Sequence, residues 1–247
     1  MSAFQAVRRG FESHRPLQLQ RNMFTYQHIR NEVKQLCKAQ SATMIPPWVL
    51  DYIMKHIVDL PAGSIVVELG TFVGGTAVRM ADANPNVVIH TYDNNQFDKY
   101  VNSPMLLHMR NIYDLPLLQA ADIIEIQRLH LEDYDNIIMH IDDTTNIAEQ
   151  NIAVALVDDN RDETALFNVL QQLWPKMAQD GVVLGDDVNS PEIYNAFARF
   201  AKIQNIELTI YSKCVKLVKT NTVFDNRMFE FKDTLLHKPN IEDCDTI

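Results

Sequence analysis

Cysteine is scarce in this chain of 247 residues, and the pattern of the few cysteines excludes two kinds of site. Cys37, Cys214 and Cys244 are odd in number and show no C-x-x-C spacing. A disulfide framework and a thiolate zinc site both need several cysteines at characteristic spacings, so both are excluded. Low cysteine usage of this kind is typical of a reducing compartment, and we therefore expect a cytoplasmic protein.

Long apolar runs and runs of basic residues are also lacking. No apolar stretch approaches the roughly 18 residues that a transmembrane helix needs, so we expect no membrane association. The formal net charge is −10, and lysine and arginine form no basic stripe. Proteins that bind nucleic acid through its phosphates need a basic surface, so nucleic acid is not an expected partner. The arginine-rich N-terminus has no following apolar segment and does not indicate a secretory signal.

Glycine is the third scarce residue, and its few copies are unevenly placed. Gly70, Gly74 and Gly75 are three of only seven glycines, and they follow an apolar run at residues 64–69. Glycine at the end of a strand permits a tight turn and lets a ligand approach the main chain closely. The free N–H groups at the start of a following helix can then bind an anionic group. This turn therefore predicts a site for a nucleotide-like ligand.

Apolar periodicity predicts strands that alternate with helices. We predict strands at residues 64–69, 87–92, 136–141, 152–157, 182–185, 206–211 and 215–219. Helices are predicted at 25–40, from Pro46-Pro47 until Pro61 and Gly63, at 74–83, from Asp162 until Gly181, and at 191–202. The link 212–214 is too short for a helical crossover, so the last two strands should be antiparallel. The pattern predicts an α/β protein with a doubly wound, mainly parallel seven-stranded sheet.

We expect the chain to form one domain. Residues 1–60 are predicted to form an N-terminal helical cap, and residues 64–220 form the core. A helical insertion is predicted at 97–133 and a C-terminal tail at 222–247. The cap and the tail would also suit a homodimer.

Acidic residues follow four of the predicted strands. Asp93, Asp142-Asp143, Asp158 and Asp186-Asp187 each stand at or just beyond the end of a strand. The carboxyl ends of parallel strands meet at one edge of the sheet, where ligands of doubly wound proteins bind. The acids and the glycine turn therefore predict a single ligand site at this edge.

On these residues the chain resembles the class I S-adenosylmethionine-dependent methyltransferases over about residues 45–220. The resemblance rests on the turn Glu68-x-Gly70-x-x-x-Gly74-Gly75-Thr76, on Asp93 and on the closing hairpin. It implies a Rossmann-like fold and S-adenosylmethionine as cofactor. The residues that it assigns to the cofactor are Glu68, Gly70, Thr71, Gly74, Gly75 and Thr76 for the methionine part, Asp93 for the ribose hydroxyls, and Asp142 and Asp143 for the adenine.

A second set of acids predicts a metal site. Carboxylates suit hard cations such as Mg²⁺, and Asp158 and the pair Asp186-Asp187 should end adjacent strands. The same pattern is similar to that of metal-dependent O-methyltransferases, above all those that modify macrolides and sugars. The resemblance implies O-methylation of a hydroxylated small molecule, with Mg²⁺ as second cofactor and with Asp158 and Asp159 as catalytic residues.

The chain departs from that family pattern directly after the fourth strand. The sugar-modifying relatives usually read Asp-Gly-Asp-His there, whereas this chain reads Asp158-Asp159-Asn160-Arg161. The candidate general base falls on Asn160, and an amide cannot accept a proton at neutral pH. Asp159 and His140 are alternative bases. A protein that keeps the cofactor pocket without catalysis is therefore a second hypothesis. The net charge of −10 disfavours a nucleic-acid methyltransferase. The lack of a G-x-G-x-x-G motif disfavours an NAD(P)-dependent oxidoreductase.

Overall fold

The computed structural model describes residues 43, 45–100, 120–141, 146–159 and 162–220. Its strands are β1 (Ile65–Leu69), β2 (Val88–Asp93), β3 (Ile137–Ile141), β4 (Ile152–Val157), β5 (Met177–Gly185), β6 (Leu208–Tyr211) and β7 (Cys214–Val218). Its α-helices are α1 (Pro47–Met54), α2 (Gly75–Ala83), α3 (Ala120–Leu131), α4 (Glu163–Leu173) and α5 (Pro191–Gln204), with 3-10 turns at Phe97–Tyr100 and Trp174–Lys176. The predicted helix at 25–40, residues 101–119 of the predicted insertion, the tail 222–247, Asp142, Asp143, Asn160 and Arg161 lie outside the described residues.

The sheet has the predicted doubly wound topology. Its strand order is β3-β2-β1-β4-β5-β7-β6. The strands from β3 to β5 are parallel, and β7 runs antiparallel to both β5 and β6. The order reverses between β1 and β4, and ligands of such folds bind beyond the carboxyl ends of the strands at that point. This topology places the turn after β1 beside the residues that follow β4.

Apolar layers cover both faces of the sheet. Val66 of β1 packs in a core with α1, α2 and α3, whereas Val67 and Leu69 pack in a second core with α4 and α5. Successive side chains of a strand point to opposite faces, so a strand that is buried on both faces reads as a continuous apolar run. Among the described residues, no helix has the length and apolarity that crossing a membrane would require.

Helix α4 ends earlier than predicted. We expected it to continue until Gly181, but it ends at Leu173, and Met177 already belongs to β5. The physical reason is Pro175, which has no N–H to continue the α-helical hydrogen bonds, and the chain passes through the 3-10 turn at Trp174–Lys176 into β5. The predicted apolar face from Leu166 to Leu173 is confirmed, because its leucines and Val169 are buried.

Two other predicted boundaries are also corrected. Helix α1 ends at Met54 rather than near Pro61, and hydrogen-bonded turns follow it. In the closing hairpin, Tyr211 pairs with Cys214, so the link consists of Ser212 and Lys213 alone. Ser212 has a φ of 56°, and this left-handed conformation closes the tight turn.

The connections on either side of β3 differ. Helix α3 lies within the predicted insertion and connects the parallel strands β2 and β3, as a crossover helix does. The next connection, residues 142–151, contains no helix in its described part, residues 146–151. Because β3 and β4 run in the same direction, this segment must return the chain across the whole height of the sheet. In its described part, Ile147 packs in the second core and the N–H of Ala148 donates to the Tyr92 hydroxyl.

Candidate active site

The turn after β1 is fitted against the residues that follow β4. The N–H of Gly70 donates to the carbonyl of Tyr92 at 2.9 Å, and the N–H of Asp158 donates to the carbonyl of Leu69 at 2.9 Å. Gly70 has a φ of 102°, and a Cβ atom added to it would lie 2.2 Å from the carbonyl oxygen of Asp158. Only glycine combines this conformation with this approach, so Gly70 brings the two loops of the site together.

This close approach gives a prediction for stability. Gly70→Ala should lower the free energy of unfolding by more than about 3 kcal/mol, because it adds a backbone clash to a left-handed φ. Gly63→Ala is the matched control, since Gly63 has a φ of 78° but no atom within 4 Å of an added Cβ. The control should lose only about 1 kcal/mol. Urea unfolding of the two variants measures the difference, and equal losses would contradict the proposed contact.

Glu68 is a buried acid at the end of β1 that two hydroxyl groups link to the turn. The Thr91 hydroxyl donates to Glu68 Oε2 at 2.5 Å. The hydroxyls of Thr71 and Thr91 are 2.6 Å apart, so Thr71 can donate to Thr91 in turn. Burial raises the pKa of Glu68 from 4.5 to about 8, although the Thr91 hydrogen bond lowers it. The structure thus joins the predicted residues Glu68 and Thr71 in one buried network.

The raised pKa predicts a pH dependence of stability. Between pH 4.5 and 8 the folded chain keeps a proton on Glu68 that the unfolded chain has released, so stability falls as pH rises through this window. The unfolding free energy of Glu68→Gln should therefore decline less from pH 5 to pH 8 than that of the wild type, by about 3 kcal/mol. Glu207→Gln on the surface is the control and should follow the wild-type curve. Parallel curves for wild type and Glu68→Gln would refute the assignment.

Asp93 ends β2 on the other side of β1 from Asp158. Its Oδ2 accepts from the N–H of Phe72 at 2.8 Å, and its Oδ1 accepts from the N–H of Asn95 at 2.8 Å. Phe72 and Asn95 both have left-handed backbone, with φ of 47° and 56°. Burial raises the pKa of Asp93, the backbone hydrogen bonds lower it, and the nearby charge of Asp159 raises it further. The carboxylate is thus held rigidly beside the glycine turn.

The remaining predicted cofactor residues lie at the start of α2. Gly74 precedes the helix with a φ of 84°, and Gly75 is its first residue. The hydroxyl of Thr76 is 2.9 Å from that of Thr43, so the segment before α1 contacts the glycine turn. Gly74, Gly75 and Thr76 are all buried, and the Thr76 side chain already has a hydrogen-bond partner.

The predicted metal ligands converge. One carboxylate oxygen each from Asp158, Asp186 and Asp187 lies within 4.8 Å of the others. Asp186 Oδ1 is buried and has no hydrogen-bond partner among the described residues. Burial raises the pKa of Asp158 well above its usual range, and the charges of Asp186, Glu68 and Asp187 act in the same direction. We refer to Asp158, Asp186 and Asp187 as the acid cluster.

Lys213 is a residue of this site that the sequence pattern does not predict. Its ammonium group lies 2.8 Å from Asp187 Oδ1 and 3.4 Å from Asp186 Oδ2. Burial alone would lower the pKa of Lys213, but its contacts with Asp187 and Asp186 raise it. The signal that could have found it is topological, because the turn of an antiparallel hairpin beside β5 must lie near the residues that follow β5.

The two alternative bases lie in different places. Asp159 follows Asp158, and its charge raises the pKa of the Asp93 carboxyl. Asp159 therefore lies near Asp93, the residue predicted to bind the cofactor's ribose. His140 lies on β3, which is three strands from β4, or about 14 Å at the usual strand spacing. It contacts His90 and Glu149 rather than the acid cluster. His140 is therefore not placed to act on a substrate at the acid cluster.

Comparison with known proteins identifies the domain type. Residues 67–188 match a protein-family model described as a methyltransferase domain. That range includes the glycine turn, Asp93 and the whole acid cluster. No curated protein matches the chain by sequence.

Solved structures share the fold. The O-methyltransferase NovP superposes with a TM-score of 0.53 at 18% identity, over 76% of this chain and 88% of that protein. An S-adenosylmethionine-dependent O-methyltransferase from Thermotoga maritima gives a TM-score of 0.52 at 9% identity, over 78% of this chain and 73% of its own. A methyltransferase from Geobacter sulfurreducens gives 0.51 at 14% identity, over 88% and 96%. At these identities the likeness concerns the fold.

Proposed function

Because this chain carries a class I S-adenosylmethionine-dependent methyltransferase domain, we propose that it methylates a hydroxyl group of a small molecule with the help of a divalent cation. The observation that carries the proposal is the position of the acid cluster at the same sheet edge as Asp93 and the glycine turn. The hydroxyl acceptor is further supported by the O-methyltransferases among the structures that share the fold.

The chain offers a specific set of contacts to the cofactor. The Asp93 carboxylate accepts backbone hydrogen bonds from Phe72, Asn95 and Thr71, and because its two oxygens offer about four acceptor sites, we propose that it also accepts from the ribose hydroxyls. The backbone from Glu68 to Thr76 would hold the methionine part, and Asp142 and Asp143 would lie near the adenine. The bound cofactor supplies a methyl group already activated by the positive sulfonium. The protein then contributes mainly positioning and removal of the acceptor's proton.

The acid cluster fits a hard divalent cation such as Mg²⁺. Three carboxylates converge, and the unpartnered Asp186 Oδ1 is an acceptor that lacks only a positive partner. A bound cation would lower the pKa of an acceptor hydroxyl and align it. Lys213 would have to release Asp186 and Asp187 at the same time. Asp158 and Asp159, which follow β4 directly, are the carboxylates that we propose to take the acceptor's proton.

Lys213 also favours a second candidate function. Its ammonium group already neutralises part of the acid cluster, and Asn160 stands where the related enzymes carry an acid. A protein of this kind would bind the cofactor as an accessory or binding protein and transfer no methyl group. The two candidates differ in whether Mg²⁺ displaces Lys213.

Calorimetric titration of S-adenosylmethionine into the metal-free chain, repeated with Mg²⁺, tests the proposal. We expect cofactor binding in the micromolar range, and a separate heat when Mg²⁺ is added. Cofactor binding without any Mg²⁺ binding would favour the accessory protein. No cofactor binding in either condition would contradict both candidates.

A further inference from the structure

A second group of potential metal ligands lies on the opposite side of β1 from the acid cluster. His90 and Tyr92 point from the same face of β2, and His140 pairs in register with Tyr92 on β3. Glu149 reaches them from the connection between β3 and β4. His90 Nδ1 lies 2.7 Å from Glu149 Oε1 and 3.0 Å from His140 Nε2, and the distance from His140 Nε2 to Glu149 Oε1 is 3.6 Å.

Hydrogen bonds alone do not satisfy this arrangement. Two ring nitrogens at 3.0 Å can hold only one proton between them, because two N–H groups would collide. If His90 carries that proton, His140 Nε2 presents a lone pair toward both His90 and the Glu149 carboxylate. The 3.6 Å separation of His140 Nε2 and Glu149 Oε1 is also too long for a hydrogen bond. The two ring nitrogens thus share a single proton, while the Glu149 carboxylate accepts from the Tyr92 hydroxyl and from its own backbone N–H.

We propose that His90 Nδ1, His140 Nε2 and Glu149 Oε1 form a binding site for a divalent transition metal of the Zn²⁺ type. In a tetrahedral zinc site with bonds of about 2.0–2.1 Å, the donor atoms lie about 3.3 Å apart. The three observed separations differ from that value by about 0.3 to 0.6 Å, so side-chain shifts of this size would complete the geometry. Two imidazoles and one carboxylate favour zinc over Mg²⁺ or Ca²⁺, which prefer oxygen ligands.

The surroundings of the three donors support the site. The Tyr92 hydroxyl donates to Glu149 Oε2 and so orients the carboxylate from behind, as partners of metal ligands commonly do. The Tyr92 and His140 rings are stacked, with centroids 4.3 Å apart, which restrains the imidazole. The His140 side chain is 29% exposed and the Glu149 side chain 7%, so an ion can enter from solvent while the site stays partly shielded. Three protein ligands leave one position for water.

The position of the site gives it a structural role. The connection that carries Glu149 has no helix in its described part, where Ile147 packs in the second core and the N–H of Ala148 donates to the Tyr92 hydroxyl. A metal ion would fasten this segment to β2 and β3. One of these strands, β2, is the strand that ends at Asp93. Zinc binding at this site does not depend on the proposed methyl transfer.

Titration of Zn²⁺ into the tag-free chain of 247 residues tests the site, with Co²⁺ as a spectroscopic probe. We expect one zinc ion per chain at the site in the micromolar range or tighter, and a rise of about 5–10 °C in the melting temperature at saturating zinc. Co²⁺ should give the visible bands of a four-coordinate, nitrogen-containing site. Absence of zinc binding, or of these bands, from the wild type would overturn the proposal.

Variants assign the ligands. His140→Gln and Glu149→Gln should each weaken zinc binding about 100-fold or more, and Tyr92→Phe about 10- to 100-fold, as loss of a group that orients a ligand does. His56→Gln is the matched control, because His56 is partly buried beside Tyr52 and outside the cluster. Asp186→Asn should also bind zinc normally at this site. Unchanged zinc binding in both His140→Gln and Glu149→Gln would refute the assignment.

Discussion

Asp93→Ala is expected to weaken binding of S-adenosylmethionine about 100-fold or more. The substitution removes the acceptor proposed for both ribose hydroxyls. It also frees the N–H groups of Phe72 and Asn95, which the carboxylate holds in left-handed conformations at 2.8 Å. Calorimetric titration of the cofactor measures the loss directly.

Two further variants separate the proposed contact of Asp93 with the ribose from the effect of Asp93 on the loops that contain Phe72 and Asn95. Asp93→Asn retains an oxygen that can accept from Phe72 or Asn95 but lacks the charge, so it should lose about tenfold in affinity. Asp98→Ala is the control, because Asp98 is exposed in the 3-10 turn that follows and should bind the cofactor like the wild type. If Asp93→Ala bound the cofactor as tightly as Asp98→Ala, the ribose assignment would be wrong.

Asp186→Asn is expected to reduce Mg²⁺-dependent methyl transfer about 10²- to 10³-fold while cofactor affinity changes less than about twofold. The asparagine side chain has the shape of the aspartate but carries no negative charge. It would therefore bind a cation more weakly than the buried, unpartnered Oδ1 of Asp186 does. Formation of S-adenosylhomocysteine with catechol and methyl glycosides as probe acceptors, with Mg²⁺ and with a chelator, measures transfer. Asp180→Asn is the control, since Asp180 is an exposed acid of β5 that lies outside the acid cluster.

Lys213→Met distinguishes the two candidate functions at the same site. If the ammonium group competes with the cation for Asp186 and Asp187, its removal should tighten Mg²⁺ binding about tenfold, the effect of roughly 1.4 kcal/mol. In an accessory protein, the variant would gain cation binding but no transfer. Mg²⁺ affinity that falls in Lys213→Met would contradict competition and would make Lys213 part of the site.

Much of the fold could be predicted from the apolar pattern. The run at residues 64–69 is largely apolar because β1 is buried on both faces between two helical layers. The wrong predictions concern the ends of helices and strands. The apolar face of helix α4 predicts a helix past Pro175 to Gly181 because it continues into Met177, which instead begins β5. Periodicity alone does not distinguish the end of a buried helix from the start of a buried strand.

Part of the candidate site could also be predicted from the sequence, and part could not. Parallel strands bring their carboxyl ends to one edge, so the acids that follow β4 and β5 could be grouped from their positions in the chain alone. The convergence of Asp158, Asp186 and Asp187 agrees with that prediction, while their roles stay a proposal. Lys213 could not be grouped with them, because its meeting with Asp187 depends on how the β6-β7 hairpin lies against β5.

The sequence by itself determined the alternation of strands and helices, the sharp turn at Gly70 and the acids at the strand ends, because each depends on local backbone and side-chain chemistry. Only the tertiary structure decided which of these groups meet. His90, His140 and Glu149 are separated in the chain and follow no recognisable spacing, yet pairing of β2 with β3 and the connection between β3 and β4 bring their donor atoms to within 3.6 Å of one another. Contacts of this kind arise from strand register and from the path of a loop across the sheet, and neither is encoded in a local pattern of residues.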